Sequence, residues 1–242
     1  MEYKGHRLRH ELKFLISHAE YNALAAAISV FMPADENSAE GGYAIRSLYF
    51  DDIYQSAYED KQAGIQRRRK YRVRIYNLSD EVIKFEIKDK YDSYISKRSA
   101  SITREDVESM LNRDFSFMIR SDSAALRSGY IDAQTKLLHP AVVVDYFREA
   151  YVGEEGNVRI TFDSDLRAGF SSFDIFDRDM VTLPAMQEGT LTLEVKYDDY
   201  LPTTVQKLLA PLNSRQTTLS KYVMCRDIQN LYYRKDMPYG IS

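Results

Sequence analysis

An α+β fold built on antiparallel strands, a barrel or sandwich decorated with short helices, is the class this chain predicts. Roughly eight segments alternate apolar and polar residues at the period of a β-strand. The helical segments between them are short and do not recur with βαβ spacing, which argues against a parallel α/β sheet. The polar positions of the strands are repeatedly charged. Most of that charge is basic, although the formal net charge of the chain is −3.

The 242 residues fit one large β-rich domain, read as a single unit over 1–242, with no internal repeat and no linker. A hydrophobic content of 44% supplies a real core and excludes disorder. The slight negative charge excludes a general nucleic-acid binder with a globally basic surface, but a basic cavity inside an acidic shell is compatible with it. Cys225 is the sole cysteine, so no intrachain disulfide and no thiolate zinc cluster can form. His6, His10, His18 and His139 show neither HxxxH nor HExxH spacing. No secretory apolar region follows Met1 and no apolar run is long enough to span a bilayer, so a cytosolic location is expected. The 19 tyrosines, against no tryptophan, suit strands with one buried face and a tip that needs a hydrogen bond.

His6 to Phe14 reads as the first strand, with His6, Leu8, His10, Leu12 and Phe14 on one face and Arg7, Arg9, Glu11 and Lys13 on the other. Ser17-His18-Ala19-Glu20 fits a capping box opening an Ala-rich helix to about Phe31, with Pro33 beyond it. Ala44 to Phe50 is the next strand, followed by a short helix from Ala57 to Gln62 that Gly64 would close.

A hairpin from Gln66 to Lys88 then alternates sharply. Arg68, Lys70, Arg72, Arg74, Lys84, Glu86 and Lys88 share one face, and Val73, Ile75, Ile83, Phe85 and Ile87 share the other. Ile95 to Ile102 is a further strand. Its neighbours Lys97 and Arg98 must point to opposite faces, and sequence leaves open which is inward. Thr103-Arg104-Glu105-Asp106 starts an interrupted helical stretch reaching about Leu138.

Ala141 to Tyr151 is the most β-prone segment, with Val142, Val144, Tyr146 and Arg148 alternating against Val143, Asp145, Phe147 and Glu149. A strand from Val158 to Asp163 places Arg159, Thr161 and Asp163 opposite Val158, Ile160 and Phe162. Leu166 to Met186 reads as irregular. Thr190 to Tyr197 is the last strand, with Thr192, Glu194 and Lys196 opposite Leu191, Leu193 and Val195. Pro202 is expected at the first position of a short helix, and Ser220 to Tyr232 closes the chain as another, with Cys225 on its buried face.

If the strands close into a barrel, one face of each lines the lumen. Here the apolar face is the one that short helices could cover from outside. The charged face would then line a tunnel containing Lys13, Arg72, Arg74, Lys88, Arg148, Arg159 and Lys196, interspersed with Glu11, Glu86, Asp163 and Glu194. Buried cations in that number repel unless an elongated polyvalent anion lies among them. A phosphate chain fits, since arginine forks pair with its oxygens and lysines supply mobile point charges. The carboxylates would suit a divalent metal bridging phosphate oxygens.

Seven segments together resemble the VTC domain, the polyphosphate polymerase domain of the triphosphate tunnel metalloenzyme superfamily. They are Arg9-His10-Glu11-Leu12-Lys13-Phe14, Ser47-Leu48-Tyr49-Phe50-Asp51, Tyr71-Arg72-Val73-Arg74-Ile75-Tyr76, Phe85-Glu86-Ile87-Lys88, Val158-Arg159-Ile160-Thr161-Phe162-Asp163, Leu193-Glu194-Val195-Lys196-Tyr197 and Ser220-Lys221-Tyr222. The resemblance runs from about Arg9 to Asp227. It implies an eight-stranded antiparallel β-barrel tunnel surrounded by helices. It also implies transfer of the ATP γ-phosphate onto a growing polyphosphate chain, with Mn2+ or Mg2+.

By the same resemblance, Arg72, Arg74, Lys88, Arg159 and Lys196 are catalytic candidates, and Lys13, Lys97, Arg148, Ser220 and Lys221 bind substrate. Glu194 is the metal ligand it implies. Glu86 and Glu11 stand as further metal ligands or as ion-pair partners, Glu86 of Lys88. Asp163 reads as the balance for Arg159, and His10 as packed or solvated. Arg9 stands where the superfamily's ExExK motif has its first glutamate, which weakens a simple triphosphatase reading. Arg68 and Lys70 are placed at the rim, where they would guide polyanions. A tripolyphosphatase or nucleoside triphosphatase, and a non-catalytic sensor of polyphosphate or an inositol polyphosphate, remain the alternatives. An integral membrane partner at the cytoplasmic face is an expectation of the resemblance, and nucleic acid is not an expected partner.

Overall fold

The computed structural model describes residues 2–3, 6–7, 9–38, 41–91 and 94–235, with only the backbone described at 2–3, 6–7, 213–214 and 233–235. In chain order, β1 (Glu2–Tyr3) and β2 (His6–Arg7) pair with each other as a small ribbon. β3 (His10–Ser17), α1 (His18–Ser29), β4 (Tyr43–Asp51) and α2 (Ser56–Gln62) follow. Next come β5 (Arg67–Tyr76), β6 (Ser79–Tyr91), β7 (Tyr94–Ser101), α3 (Arg104–Leu111) and α4 (Ala124–Lys136). The rest is β8 (His139–Gly153), β9 (Val158–Gly169), β10 (Thr182–Pro184), β11 (Thr190–Tyr197), α5 (Thr203–Leu209) and α6 (Lys221–Lys235). The predicted first strand is thus split, with His6 and Arg7 in the ribbon and the main strand starting at His10; Leu8 lies outside the described residues.

Local chemistry sets several boundaries. Ser17 ends β3 and caps α1: its hydroxyl accepts from the Glu20 amide, while the Glu20 carboxylate accepts from the Ser17 amide at 2.8 Å. Thr103 and Asp106 repeat the arrangement at the start of α3. Asn77 and Leu78, both at positive φ, make the two-residue turn between β5 and β6, which matches the strands' twist. Pro202 is the residue before α5 rather than its first.

All pairs in the main sheet are antiparallel, in the order β3-β11-β9-β8-β4-β5-β6-β7, with β10 added to β9. The sheet curls so that its edge strands approach, and among the described residues they meet at one bridge, Arg9 with Ile95. Among the described residues the tunnel is therefore a rolled sheet with one bridge at its seam, not a continuously hydrogen-bonded barrel. β9 runs to Gly169, past the point where the sequence looks irregular. The reason is a bulge: Phe147 pairs with Ser164 and Asp145 with Arg167, so Asp165 and Leu166 together face Tyr146. An extra residue inverts the alternation, and the periodicity disappears although the strand continues.

The outer apolar faces carry two cores. Phe14, Ile16, Ile160, Phe162, Leu193 and Val195 pack with Leu24 and Ile28 of α1 and Val205 and Leu209 of α5. Leu48, Phe50, Val73, Ile75, Phe85 and Ile87 pack with Val107 and Met110 of α3 and Leu126 and Ala133 of α4. Full burial of each such side chain contributes about 2 kcal/mol, which holds the helices on the sheet. Gly129 lets α4 approach closely, because a Cβ there would meet the Phe85 ring at 2.8 Å.

A third core lies on the inner face and departs from the expectation that helices cover the sheet only from outside. Tyr49, Val142, Val144, Tyr146, Leu166 and Ala168 pack with Tyr222, Val223 and Cys225 of α6. This helix fills one end of the curl. It is anchored by the Tyr222 hydroxyl on Asp51, Tyr58 on Asp227 at 2.5 Å, and Gln229 on the Gly169 carbonyl at 3.0 Å. No helix among the described residues is long and apolar enough to cross a membrane.

Candidate active site in the basic lumen

The remaining inner face is charged, and strand register decides who meets whom. β11 pairs with β3 so that Glu194 lies opposite Lys13 and Lys196 opposite Glu11. Lys13 Nζ is 3.4 Å from Glu11 Oε2 and 3.5 Å from Glu194 Oε2. Lys196 Nζ is 3.5 Å from Glu11 Oε1 and also contacts Glu194. Lys88, reaching across from β6, is 3.4 Å from Glu11 Oε1. Two carboxylates are thus bracketed by three lysines.

On the next wall, Arg148 grips Asp163 with both arms of its fork, Nε to Oδ1 at 2.6 Å and Nη2 to Oδ2 at 2.7 Å. Lys221, the first residue of α6, lies 2.6 Å from Asp163 Oδ2. Asp163 therefore balances Arg148 and Lys221, not Arg159 as the sequence reading has it. Arg159 instead pairs with Asp35 at 3.1 Å and donates to the Tyr43 hydroxyl at 3.2 Å.

The third wall comes from β4, β5, β6 and β7. Glu86 accepts from Arg72 Nε at 2.6 Å and from Lys97 at 2.9 Å, while Arg72 also donates to Tyr49 at 3.0 Å. The partner proposed for Glu86, Lys88, belongs to Glu11 instead. Lys97 faces the lumen with 53% of its side chain exposed, and Arg98 points outward to Asp89 at 3.1 Å. Arg74 is buried yet bonds only neutral oxygens, Ser47 at 3.1 Å and Tyr146 at 2.9 Å. Lys70 is not out at the rim, but donates to Ser220 Oγ at 2.8 Å and lies over the Tyr222 ring. Ser220 Oγ also accepts from the Val223 amide at 3.4 Å, so it caps α6 while it binds Lys70.

The geometry adds Tyr146 and Thr161, which the sequence reading leaves without a role, and moves Lys70 inward from the rim. The Tyr146 ring lies 5.3 Å from Arg148, 5.9 Å from Arg74 and 5.0 Å from Lys221. Burial raises its phenol, but these cations outweigh burial and lower it overall. Thr161, opposite Glu194 in the β9–β11 pair, has a buried hydroxyl with no hydrogen-bond partner. Lys70, Tyr146 and Thr161 share strand parity with Arg72, Arg148 and Arg159, and that was the available clue. His10 stacks on Tyr197 with ring centroids 5.0 Å apart, as a packed residue does.

The protonation balance follows from these contacts. Burial opposes ionisation of Glu194, but Lys196, Lys13, Lys221 and Lys88 hold it well below the usual carboxylate range. Burial likewise opposes Glu86, and Arg72, Arg74 and Lys97 outweigh it. Burial would lower Lys13, but Glu194, Glu11 and Asp163 raise it above the usual lysine range. Lys88 moves the other way: burial, reinforced by Lys13 and Lys196, takes it down to about 8 despite Glu11 and Glu194. Lys70 falls well below its usual range through burial and the repulsion of Lys88, Lys13, Arg68 and Lys61.

Among the described residues no three carboxylates or imidazoles gather as a preformed metal cage. Glu11 and Glu194 do share Lys13 and Lys196, beside the unpartnered Thr161 hydroxyl. A hard cation such as Mg2+ takes one or two carboxylates and completes its shell with phosphate oxygens and water, so this pair fits one. Glu86 stands apart from them, with both oxygens held by Arg72 and Lys97.

Residues 8–229 match the VTC domain, nearly the whole chain. The chain belongs to the VTC domain family. Solved structures show the fold that this VTC domain shares. A candidate adenylate cyclase from Bacillus halodurans superposes with a TM-score of 0.55 at 12% identity, over 89% of this chain and 95% of that one. A candidate adenylate cyclase from Vibrio parahaemolyticus aligns with a TM-score of 0.49 at 10% identity, over 90% and 98% of the two chains. No curated protein matches the sequence. The VTC domain thus shares the fold of the Bacillus halodurans protein: an antiparallel sheet rolled around a charged lumen, with helices outside it and one helix at its end.

Proposed function

We propose that this domain is a polyphosphate polymerase that transfers the γ-phosphate of ATP to the end of a growing polyphosphate chain. The observation that carries this reading is the excess of lumen cations over carboxylates. Among the described residues Arg74 and Lys70 hydrogen-bond only neutral partners, and Lys13, Lys88 and Lys196 share Glu11. Such a lumen is stabilised by a linear polyanion lying along it.

In the reaction a P–O bond forms between the terminal oxygen of the acceptor chain and the γ-phosphorus. The bond to the bridging oxygen breaks, and ADP leaves with the electron pair. The acceptor oxygen is already ionised, so no strong general base is required. Arg72, Arg74, Arg148, Arg159, Lys88 and Lys196 hold donor and acceptor in line and stabilise the equatorial oxygens. Lys13, Lys97, Ser220 and Lys221 bind the flanking phosphates. Glu194 and Glu11 would hold a divalent cation, Mn2+ or Mg2+, which when bound neutralises charge on the phosphate oxygens.

Transfer is favoured over hydrolysis by Arg9. It replaces a carboxylate of the hydrolytic ExExK pattern and is ion-paired to Asp198 at 3.1 Å. The same proposal includes an integral membrane partner that receives the polymer. The test is a product assay with ATP and manganese. Long, acid-labile polymer is expected from the wild type, with strong loss in Arg74→Ala. Monophosphate and pyrophosphate as the only products at every metal concentration would overturn the polymerase reading in favour of a hydrolase. Tight polyphosphate binding without turnover would favour a sensor.

A further inference from the structure

Three lysines from three different elements donate to three successive residues ahead of α6. Lys61 of α2 reaches Thr218 Oγ1 at 3.1 Å, Lys13 of β3 reaches the Leu219 carbonyl at 3.4 Å, and Lys70 of β5 reaches Ser220 Oγ at 2.8 Å. Arg68 lies beside them and donates to the Asp60 carbonyl at 3.5 Å. Lys13 also has carboxylate partners in the lumen. Lys61, Arg68 and Lys70 form no ion pair with a carboxylate among the described residues, and each is half-buried.

Solvated surface lysines diverge into water. These converge on a ledge of neutral oxygens, at a cost in mutual repulsion. Burial and the charges of Arg68, Lys90 and Lys13 lower Lys61, and burial lowers Arg68 despite Asp60. A hydroxyl or carbonyl is a weak partner for an ammonium, and a phosphate oxygen displaces it readily. The row is also continuous with the reacting centre, because Lys70 feels Lys88 and Lys13 directly.

We propose that Lys61 and Lys70, on the Thr218–Ser220 ledge, together with Arg68 beside them, form a second polyanion subsite that holds phosphate groups of the chain remote from the transferred group. Its ligand is a linear polyphosphate long enough to reach from the lumen to the ledge. A triphosphate occupying the lumen alone reaches at most the Lys70 end of the row and does not engage Lys61 and Arg68. The subsite rests on the polyphosphate reading above and gives that reading a preference for long chains.

Equilibrium binding of tripolyphosphate and of long-chain polyphosphate to the wild type and to Lys61→Gln/Arg68→Gln tests this. The double variant is expected to lose about tenfold in affinity for the long chain through two lost cation–phosphate contacts, and to lose far less for tripolyphosphate. The salt dependence of long-chain binding should also become shallower. Lys61→Arg/Arg68→Lys, which keeps the charge, should restore the wild-type ratio. Retained tripolyphosphate binding shows that the variant is folded. An equal loss for both ligands, or an unchanged ratio, overturns the subsite. Failure of the wild type to bind either ligand overturns the polyphosphate reading itself.

Discussion

Glu11 Oε1 lies 3.4 Å from Lys88 Nζ although their strands, β3 and β6, are not neighbours in the sheet. The contact crosses the lumen, and it exists because the sheet rolls. It also leaves Lys88 in a contest, in which burial and two neighbouring lysines bring it down to about 8 against the pull of Glu11.

A bound polyphosphate would restore the charge of Lys88, so binding and protonation are linked. Below pH 8 the free protein already carries that proton, and this residue adds no pH dependence. As pH rises through about 8 the free lysine deprotonates while the complex holds its proton, so affinity should fall. Titration calorimetry between neutral pH and pH 9 should show proton uptake on binding. Lys88→Arg should remove this component, since guanidinium stays charged.

Asp163 is fully buried between Arg148 and Lys221. Burial raises its carboxyl, but Arg148 and Lys221 outweigh burial and bring it down to about 2. Asp163→Asn leaves the buried Arg148 and the half-buried Lys221 without their carboxylate and should cost about 3 kcal/mol, read as a lower denaturation midpoint. The sign with pH follows from the depressed carboxyl. Its stabilisation is present above the unfolded value near ~4 and is lost as pH falls towards about 2. The variant should lack that part of the acid transition.

Glu194→Gln removes one of the two carboxylates beside Lys13 and Lys196. Polymer formation is expected to fall roughly 100-fold, the scale for losing one preorganised charged contact. Polyphosphate affinity should be retained or rise, because negative charge leaves a cationic lumen. Binding and turnover measured on the same preparation check both halves. Loss of binding together with turnover would contradict the assignment.

Tyr222 ties α6 to Asp51, whose carboxylate also accepts from the Ala57 amide at 2.9 Å and the Tyr58 amide at 3.2 Å. Tyr222→Phe should cost about 1–2 kcal/mol, the price of an unmade hydrogen bond to a charged group. Hydrogen exchange should show faster opening of α6 than of β8, because only the helix loses its tether.

Parity made much of the lumen legible in the sequence. Lys13, Arg72, Arg148, Arg159, Glu194 and Lys196 all face inward where alternation put them. Parity could not choose between Lys97 and Arg98, because a strand offers both faces to neighbouring residues. It also could not assign partners. Glu86 serves Arg72, its direct cross-strand neighbour, and Lys97, whereas Lys88 finds Glu11 only across the curl. The bulge at Asp165 and Leu166 hid the second half of β9 by inverting its alternation.

The sequence by itself determined where most of the main strands lie, which face of most of them is charged and how α1 and α3 are capped. Those are properties of period-two alternation and of hydrogen bonds between residues three apart. Only the tertiary structure decided that the sheet rolls nearly closed with one bridge at its seam, that α6 enters the curl, and that Lys70 lies at Ser220. These depend on twist and register accumulated over eight paired strands, and on the inner apolar residues Val142, Val144 and Tyr146 of β8, which the helix from the end of the chain covers.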